Sequence, residues 1–167
     1  NIPDTDDWAE YWDSIFSPFA EWIQTSFPHM HDAASPVRRE LVNKHGLLYT
    51  WPGSDPTLKP IVLMSHQDVV PVANETLDQW IHPPFSGHID IENQTVWGRG
   101  SVDCKLWLVS TISAVETLVK SDFKPKRTII LSIGHDEESD GKHGAQHLSA
   151  ELEKRFGRGG IGMIVDE

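Results

Sequence analysis

The sequence predicts an α/β fold in which helices cover both faces of a sheet. Two apolar runs, Ile61 to Ser65 and Thr128 to Ile133, lack polar alternation. That is the pattern of strands buried on both sides. Stretches with apolar residues at helical spacing stand between these runs and after them. Strands and helices alternating along a chain select this class.

Asn1 to Asp7 is polar and turn-rich. From Trp8 to Phe27 apolar residues recur at helical spacing, interrupted by Pro18. Ser17 is a good N-cap and Pro18 a good first helical residue, so a helix is expected to start there and to stop at Pro28. Val37 to Trp51 reads as a hairpin turning at Asn43-Lys44-His45-Gly46. The Ile61 strand ends at His66, and a polar loop is expected over Asn74 to Pro84. A second hairpin is expected from Gly87 to Gly98, then a helix over Lys105 to Lys120. In that helix Leu106, Val109, Ile112, Val115, Leu118 and Val119 share one side. The Thr128 strand, a helix over Lys142 to Phe156 and a last strand, Ile161 to Val165, complete the order. His143 and His147 are expected on an exposed helix face. There is no internal repeat.

At 167 residues the chain suits one domain, and 38% apolar composition is enough for a core. The net charge of −11 argues against nucleic acid, whose phosphates need an excess of Lys and Arg. No run of about 18 apolar residues is present, so no membrane span is expected. The single cysteine, Cys104, rules out an internal disulfide and a cysteine-cluster zinc site. Cys104 is expected to be packed. The sequons Asn74-Glu75-Thr76 and Asn93-Gln94-Thr95 fit exposed loops of a secreted or lumenal protein.

Ligands of open α/β sheets collect at the carboxyl ends of strands. Three polar clusters stand there or just before helices. In Ser65-His66-Gln67-Asp68, His66 and Asp68 point to the same side of an extended segment. One imidazole nitrogen is then free for a metal while Asp68 holds the other, although a purely stabilising pair has the same spacing. In Gly98-Arg99-Gly100-Ser101-Val102-Asp103, Asp103 precedes a helix and suits an ordinary cap as well as a ligand. Arg99 and Lys105 are placed to offset nearby carboxylates. In His135-Asp136-Glu137-Glu138-Ser139-Asp140, four acids in six residues repel one another unless cations or solvent intervene. Glu137 and Glu138 suit a division of labour, one binding metal and the other moving protons. Val165-Asp166-Glu167 places two more acids after a strand.

In order, the segments IVLMSHQDVVPV, HPPFSGHI, WGRGSVDCK, GHDEES and IVDE resemble the co-catalytic zinc peptidase family that contains carboxypeptidase S, glutamate carboxypeptidase and aminoacylase. The resemblance is closest to the fungal carboxypeptidase S branch and runs from about Phe16 onward. It implies an α/β catalytic domain with a mixed central sheet flanked by helices. It makes His66 and Asp166 ligands of one zinc, with Asp68 supporting His66. Asp103 matches the carboxylate bridging both zincs, Glu138 a ligand of the second, and Glu137 the general base. The implied substrate is a peptide or N-acyl amino acid, and the implied place is a vacuolar or secretory lumen. A cis peptide is expected between Asp103 and Cys104.

Residues 1–167 would then be the N-terminal part of one catalytic domain. The family's lid or dimerisation domain and its last zinc ligand, a downstream histidine, are not in this sequence, so the 167 residues alone are expected to be inactive. A truncated non-catalytic paralogue that binds metal or a partner is the competing expectation. Leu106 and Trp107 stand where the family has small or amide residues, and His135 where a Phe or small residue is usual.

Overall fold

The computed structural model describes residues 7–167. The polar stretch expected over Asn1 to Asp7 therefore lies almost wholly outside the described residues, as does the side chain of Trp8. Helices α1 (Asp7–Ser26) and α2 (Pro28–His31) lead into a hairpin of β1 (Arg38–Val42) and β2 (Gly46–Trp51). Strand β3 (Ile61–His66) follows, then a short hairpin of β4 (His88–Asp90) and β5 (Thr95–Trp97). Helix α3 (Trp107–Lys120), β6 (Ile129–Gly134), α4 (Ala145–Phe156) and β7 (Met163–Val165) complete the order.

The five-stranded sheet runs β1-β2-β6-β3-β7. β1 with β2 and β2 with β6 are antiparallel, whereas β3 pairs in parallel with both β6 and β7. The sheet is therefore mixed, as expected. Asn43 and Lys44 turn the first hairpin at positive φ (47° and 69°), a region that asparagine tolerates better than most residues.

Alternation along β2 feeds two cores. Leu47, Tyr49 and Trp51 pack with Leu131 and Ile133 beneath Ile23, Met30, Leu108, Ile112 and Val115. Leu48 packs on the other face with Val62, Ile130 and Leu148 of α4. Burying side chains of this size contributes roughly 1.5–3 kcal/mol each before chain entropy is counted. Helices thus cover both faces.

Three sequence expectations give way. Helix α1 does not start at Pro18 but runs through it. Pro18 stands on the exposed side, away from buried Phe16 and Ile23, so the helix bond it removes is lost next to water. The segment Ser101–Leu106 is an irregular turn, with Asp103 and Cys104 outside helical φ/ψ, so regular α3 begins at Trp107. Val109, Ile112, Val115, Leu118 and Val119 face the core as expected, but in the first turn Leu108 is fully buried and Leu106 is 62% exposed. His143 precedes α4 and packs edge-on against Trp12 at 5.1 Å, leaving only His147 on an exposed helix face. The loop expected over Asn74 to Pro84 also holds a short helical turn, Asn74–Gln79.

His135 sits beneath α1 at 2% exposure, and neither ring nitrogen has a hydrogen-bond partner. Trp12, Phe16 and His45 enclose it at centroid distances of 5.5, 5.4 and 5.5 Å. Burial, opposed by Asp136 and Asp68 and aided by His45 and His143, pushes its pKa down from 6.5 to about 4. Below pH 6.5 the unfolded chain gains a proton that the folded chain refuses until about pH 4. Stability is therefore expected to fall with pH across that window, by roughly 1.4 kcal/mol per pH unit for this group. His135→Phe removes the titration and the orphaned nitrogens at similar volume. Its stabilisation is expected to be larger at pH 5 than at pH 7.5 by on the order of 2 kcal/mol. Urea unfolding of both proteins at the two pH values checks this; an equal difference at both refutes it.

Candidate metal centre

Parallel pairing gathers the acidic clusters at one end of the sheet. In the β3–β6 register His66 faces Gly134, so the turn after β6 emerges beside His66. In the β3–β7 register Leu63 faces Val165, which brings Asp166 and Glu167 to the same edge. The irregular turn after β5 supplies Asp103. It is entered through Gly100 at φ 83°, a conformation that disfavours a side chain. The peptide between Asp103 and Cys104 is cis, as the resemblance implied.

His66 is 1% exposed and is held at both nitrogens. Nδ1 lies 3.0 Å from the Asp68 carbonyl oxygen and 3.3 Å from Asp68 Oδ1. A carbonyl only accepts, so Nδ1 carries the proton and Nε2 is turned toward the carboxylates. Nε2 lies 2.9 Å from Asp103 Oδ1, 3.1 Å from Glu167 Oε2 and 3.9 Å from Glu137 Oε2. Burial alone would lower the His66 pKa, but hydrogen bonds to Asp68, Cys104 and Asp103 raise it to about 11.

Asp68 does more than orient His66. Its Oδ1 accepts the Glu137 N–H at 3.2 Å and its Oδ2 the Glu138 N–H at 2.9 Å. Burial would raise its pKa, yet the His66 and Glu138 donors hold it below the usual carboxylate range. One carboxylate thus ties the loop after β3 to the turn after β6. Asp136 shapes that turn from within: at 4% exposure it accepts the N–H groups of His143 at 2.6 Å and Gly144 at 2.8 Å. Loss of hydration raises the Glu137 pKa; His66 opposes this, and the charges of Glu138, Glu167 and Asp68 add to it.

Among the described residues, two sets of donor atoms lie within 4.8 Å of one another: His66, Asp103, Cys104 and Glu167, and His66, Glu137 and Glu138. Imidazole with carboxylates is a donor set that suits zinc. Cys104 is the weakest of these donors. It is 1% exposed, its Sγ accepts the His66 N–H at 3.1 Å, and burial raises its pKa, so it stays a thiol. Among the sequence-derived candidates, His66, Asp68, Asp103, Glu137 and Glu138 are brought together. Asp166 lines a cavity of about 630 Å³ with His66, Glu137 and Glu167 but stands outside both donor sets, and the Glu167 carboxylate lies against His66 instead. Arg99 stacks over Trp80, 5.3 Å from the ring centroid.

A mixed sheet with histidine and acids gathered at its carboxyl edge defines a metallohydrolase-like centre. The chain belongs to peptidase family M20/M25/M40, whose model matches residues 62–167. Carboxypeptidase S of Saccharomyces cerevisiae is 51% identical over 152 residues, covering 91% of this chain and 26% of that protein. The N-fatty-acyl-amino acid synthase/hydrolase PM20D1 of Mus musculus is 41% identical over 155 residues, covering 92% and 29%. The chain thus spans between a quarter and a third of these relatives. The M20 family metallo-carboxypeptidase Sso-CP2 from Sulfolobus solfataricus shares the fold, with a TM-score of 0.66 at 18% identity over 93% of this chain and 32% of that one. The dipeptidase Dug1p from Saccharomyces cerevisiae shares it too, with a TM-score of 0.65 at 21% identity over 93% and 33%.

Proposed function

We propose that these residues form the N-terminal part of the catalytic domain of a zinc carboxypeptidase. It hydrolyses a peptide or N-acyl amide bond and releases a C-terminal amino acid. The observation that carries this reading is His66, anchored by Asp68 at Nδ1 and facing Asp103, Glu137 and Glu167 with Nε2. The relatives' names, carboxypeptidase S and N-fatty-acyl-amino acid synthase/hydrolase, support an amide with an amino acid on one side.

His66, Asp103, Glu138 and Asp166 would hold two zinc ions, with Asp103 shared between them. Bound there, zinc supplies Lewis-acid stabilisation of the reacting oxygen and makes a nucleophile available near neutral pH. Asp68 keeps the proton on Nδ1 of His66, so that Nε2, whose own proton a zinc ion would displace, is the nitrogen offered to the metal. Glu137, with its raised pKa, takes a proton from the attacking water and delivers it to the leaving nitrogen. Release of an amino acid from a blocked dipeptide by the full-length protein is expected to stop on chelation and return with zinc. Zinc uptake without turnover favours the non-catalytic alternative.

The end of β7 offers two acids. Asp166→Asn is expected to weaken zinc binding about tenfold or more, and Glu167→Gln less. The reverse order in a chelator competition would give the ligand role to Glu167.

No helix among the described residues is long and apolar enough to cross a membrane. Asn74 and Asn93 are both exposed, which supports glycosylation and a vacuolar or secretory-pathway lumen. A mobility shift on glycosidase treatment, lost in an Asn74→Gln/Asn93→Gln double variant, tests that placement.

A further inference from the structure

The turn between β5 and α3 does more than present Asp103. Three of the residues around it grip the end of β3 in succession. The Trp107 indole N–H donates to the Met64 carbonyl at 2.7 Å, and Cys104 Sγ accepts the His66 N–H at 3.1 Å. The Lys105 ammonium donates to the Gln67 carbonyl and, at 3.5 Å, to the Asp68 carbonyl. Lys105 is half-buried, and its ammonium lies 5.7 Å from the centroid of the Phe19 ring of α1. A lysine free to choose would reach for one of the many carboxylates here; these hydrogen bonds go to backbone carbonyls instead. Charge-assisted bonds of this kind are about twice as strong as neutral ones.

The two carbonyls belong to the segment that sets the angle between the His66 ring and the Asp68 carboxylate. That carboxylate in turn accepts the N–H groups of Glu137 and Glu138. We propose that Lys105 is a positioning residue: its ammonium locks the Gln67–Asp68 backbone, and through Asp68 it sets the pose of His66 and of the Glu137–Glu138 turn. Its catalytic consequence rests on the function proposed above, whereas the positioning itself does not. Lys105 touches neither substrate nor metal in this role. It acts on chemistry by keeping the proton-transfer group and its neighbours in register.

Lys105→Met keeps the stem and removes the donors; Lys105→Arg keeps charge and donors. Amide hydrogen exchange reads the positioning directly in the full-length chain. The Glu137 and Glu138 amides are expected to exchange tenfold or more faster in the Met variant and within about threefold of the parent in the Arg variant. Amides in the β2–β6 ladder should stay unchanged in both. Unchanged Glu138 exchange in the Met variant overturns the proposal, and so does a uniform rise that includes the β2–β6 ladder. With the zinc-loaded protein, kcat should fall about tenfold or more in the Met variant with KM within twofold, and recover in the Arg variant. A parent that lacks zinc-dependent turnover defeats the carboxypeptidase reading while the exchange result still decides Lys105. A parent with turnover and a Met variant of equal kcat defeats the catalytic consequence of Lys105 alone.

Discussion

Glu137→Gln is expected to lower kcat by about 10²–10⁴-fold while zinc content and unfolding temperature stay near those of the parent. Glutamine keeps the shape and the backbone bond to Asp68 but cannot take up a proton. Glu137 is suited to that task by position: its Oε2 lies 3.9 Å from His66 Nε2, beyond direct hydrogen-bond range and open to solvent on one side. Its pKa is raised by lost hydration and by neighbouring negative charge, which brings a carboxylate closer to the working range of a general base. The base works when deprotonated, so kcat/KM should climb with pH as Glu137 loses its proton. The variant should lose that limb. A variant that loses zinc in step with activity would make Glu137 a ligand instead.

The second large effect is expected at Asp68. Asp68→Ala should weaken zinc binding by roughly 10–100-fold, the usual consequence of removing the partner of a ligating histidine. The structure adds a second consequence. The alanine variant also strips acceptors from the Glu137 and Glu138 N–H groups, so kcat should stay depressed even when zinc is saturating. Asp68→Asn should lie between parent and alanine, because an amide oxygen accepts one of those bonds and its NH₂ opposes the other. Chelator competition followed by assays at saturating zinc separates the two effects. Equal zinc affinity in parent and alanine variant would refute the support role of Asp68.

Much of this fold was legible in the sequence because its signals are local. The Asn43-Lys44-His45-Gly46 turn and the unbroken apolar runs before His66 and Gly134 need no long-range knowledge. Pro18 misled because a proline on the exposed side of a packed amphipathic helix costs only one bond beside water. Most of the inner face of α3 is legible, but its first turn is not, because which of Leu106 and Leu108 turns inward depends on where the helix starts. Nothing short of the backbone at Asp103 and Cys104 reveals that start at Trp107. In the site, the His66–Asp68 relation follows from two-residue spacing and was readable. The bonds between Asp68 and the Glu137 and Glu138 amides, from Lys105 to Gln67 and from Trp107 to Met64 link residues 38 to 70 positions apart, and no local pattern announces them. Asp136 belongs to the acidic run in sequence, yet it is an internal cap for the His143 and Gly144 amides. At the end of β7, strand alternation sends neighbouring acids in different directions, so spacing alone does not say whether Asp166 or Glu167 reaches His66.

The proposed centre would hold two cations at the carboxyl ends of β3, β6 and β7, with Asp103 as a ligand common to both. Anomalous diffraction at the zinc edge from crystals of the full-length protein tests it most directly. Two peaks about 3.5–4 Å apart are expected, with Asp103 between them, His66 against one and Glu138 against the other. A single peak, or two peaks with Asp103 turned away from both, would contradict it.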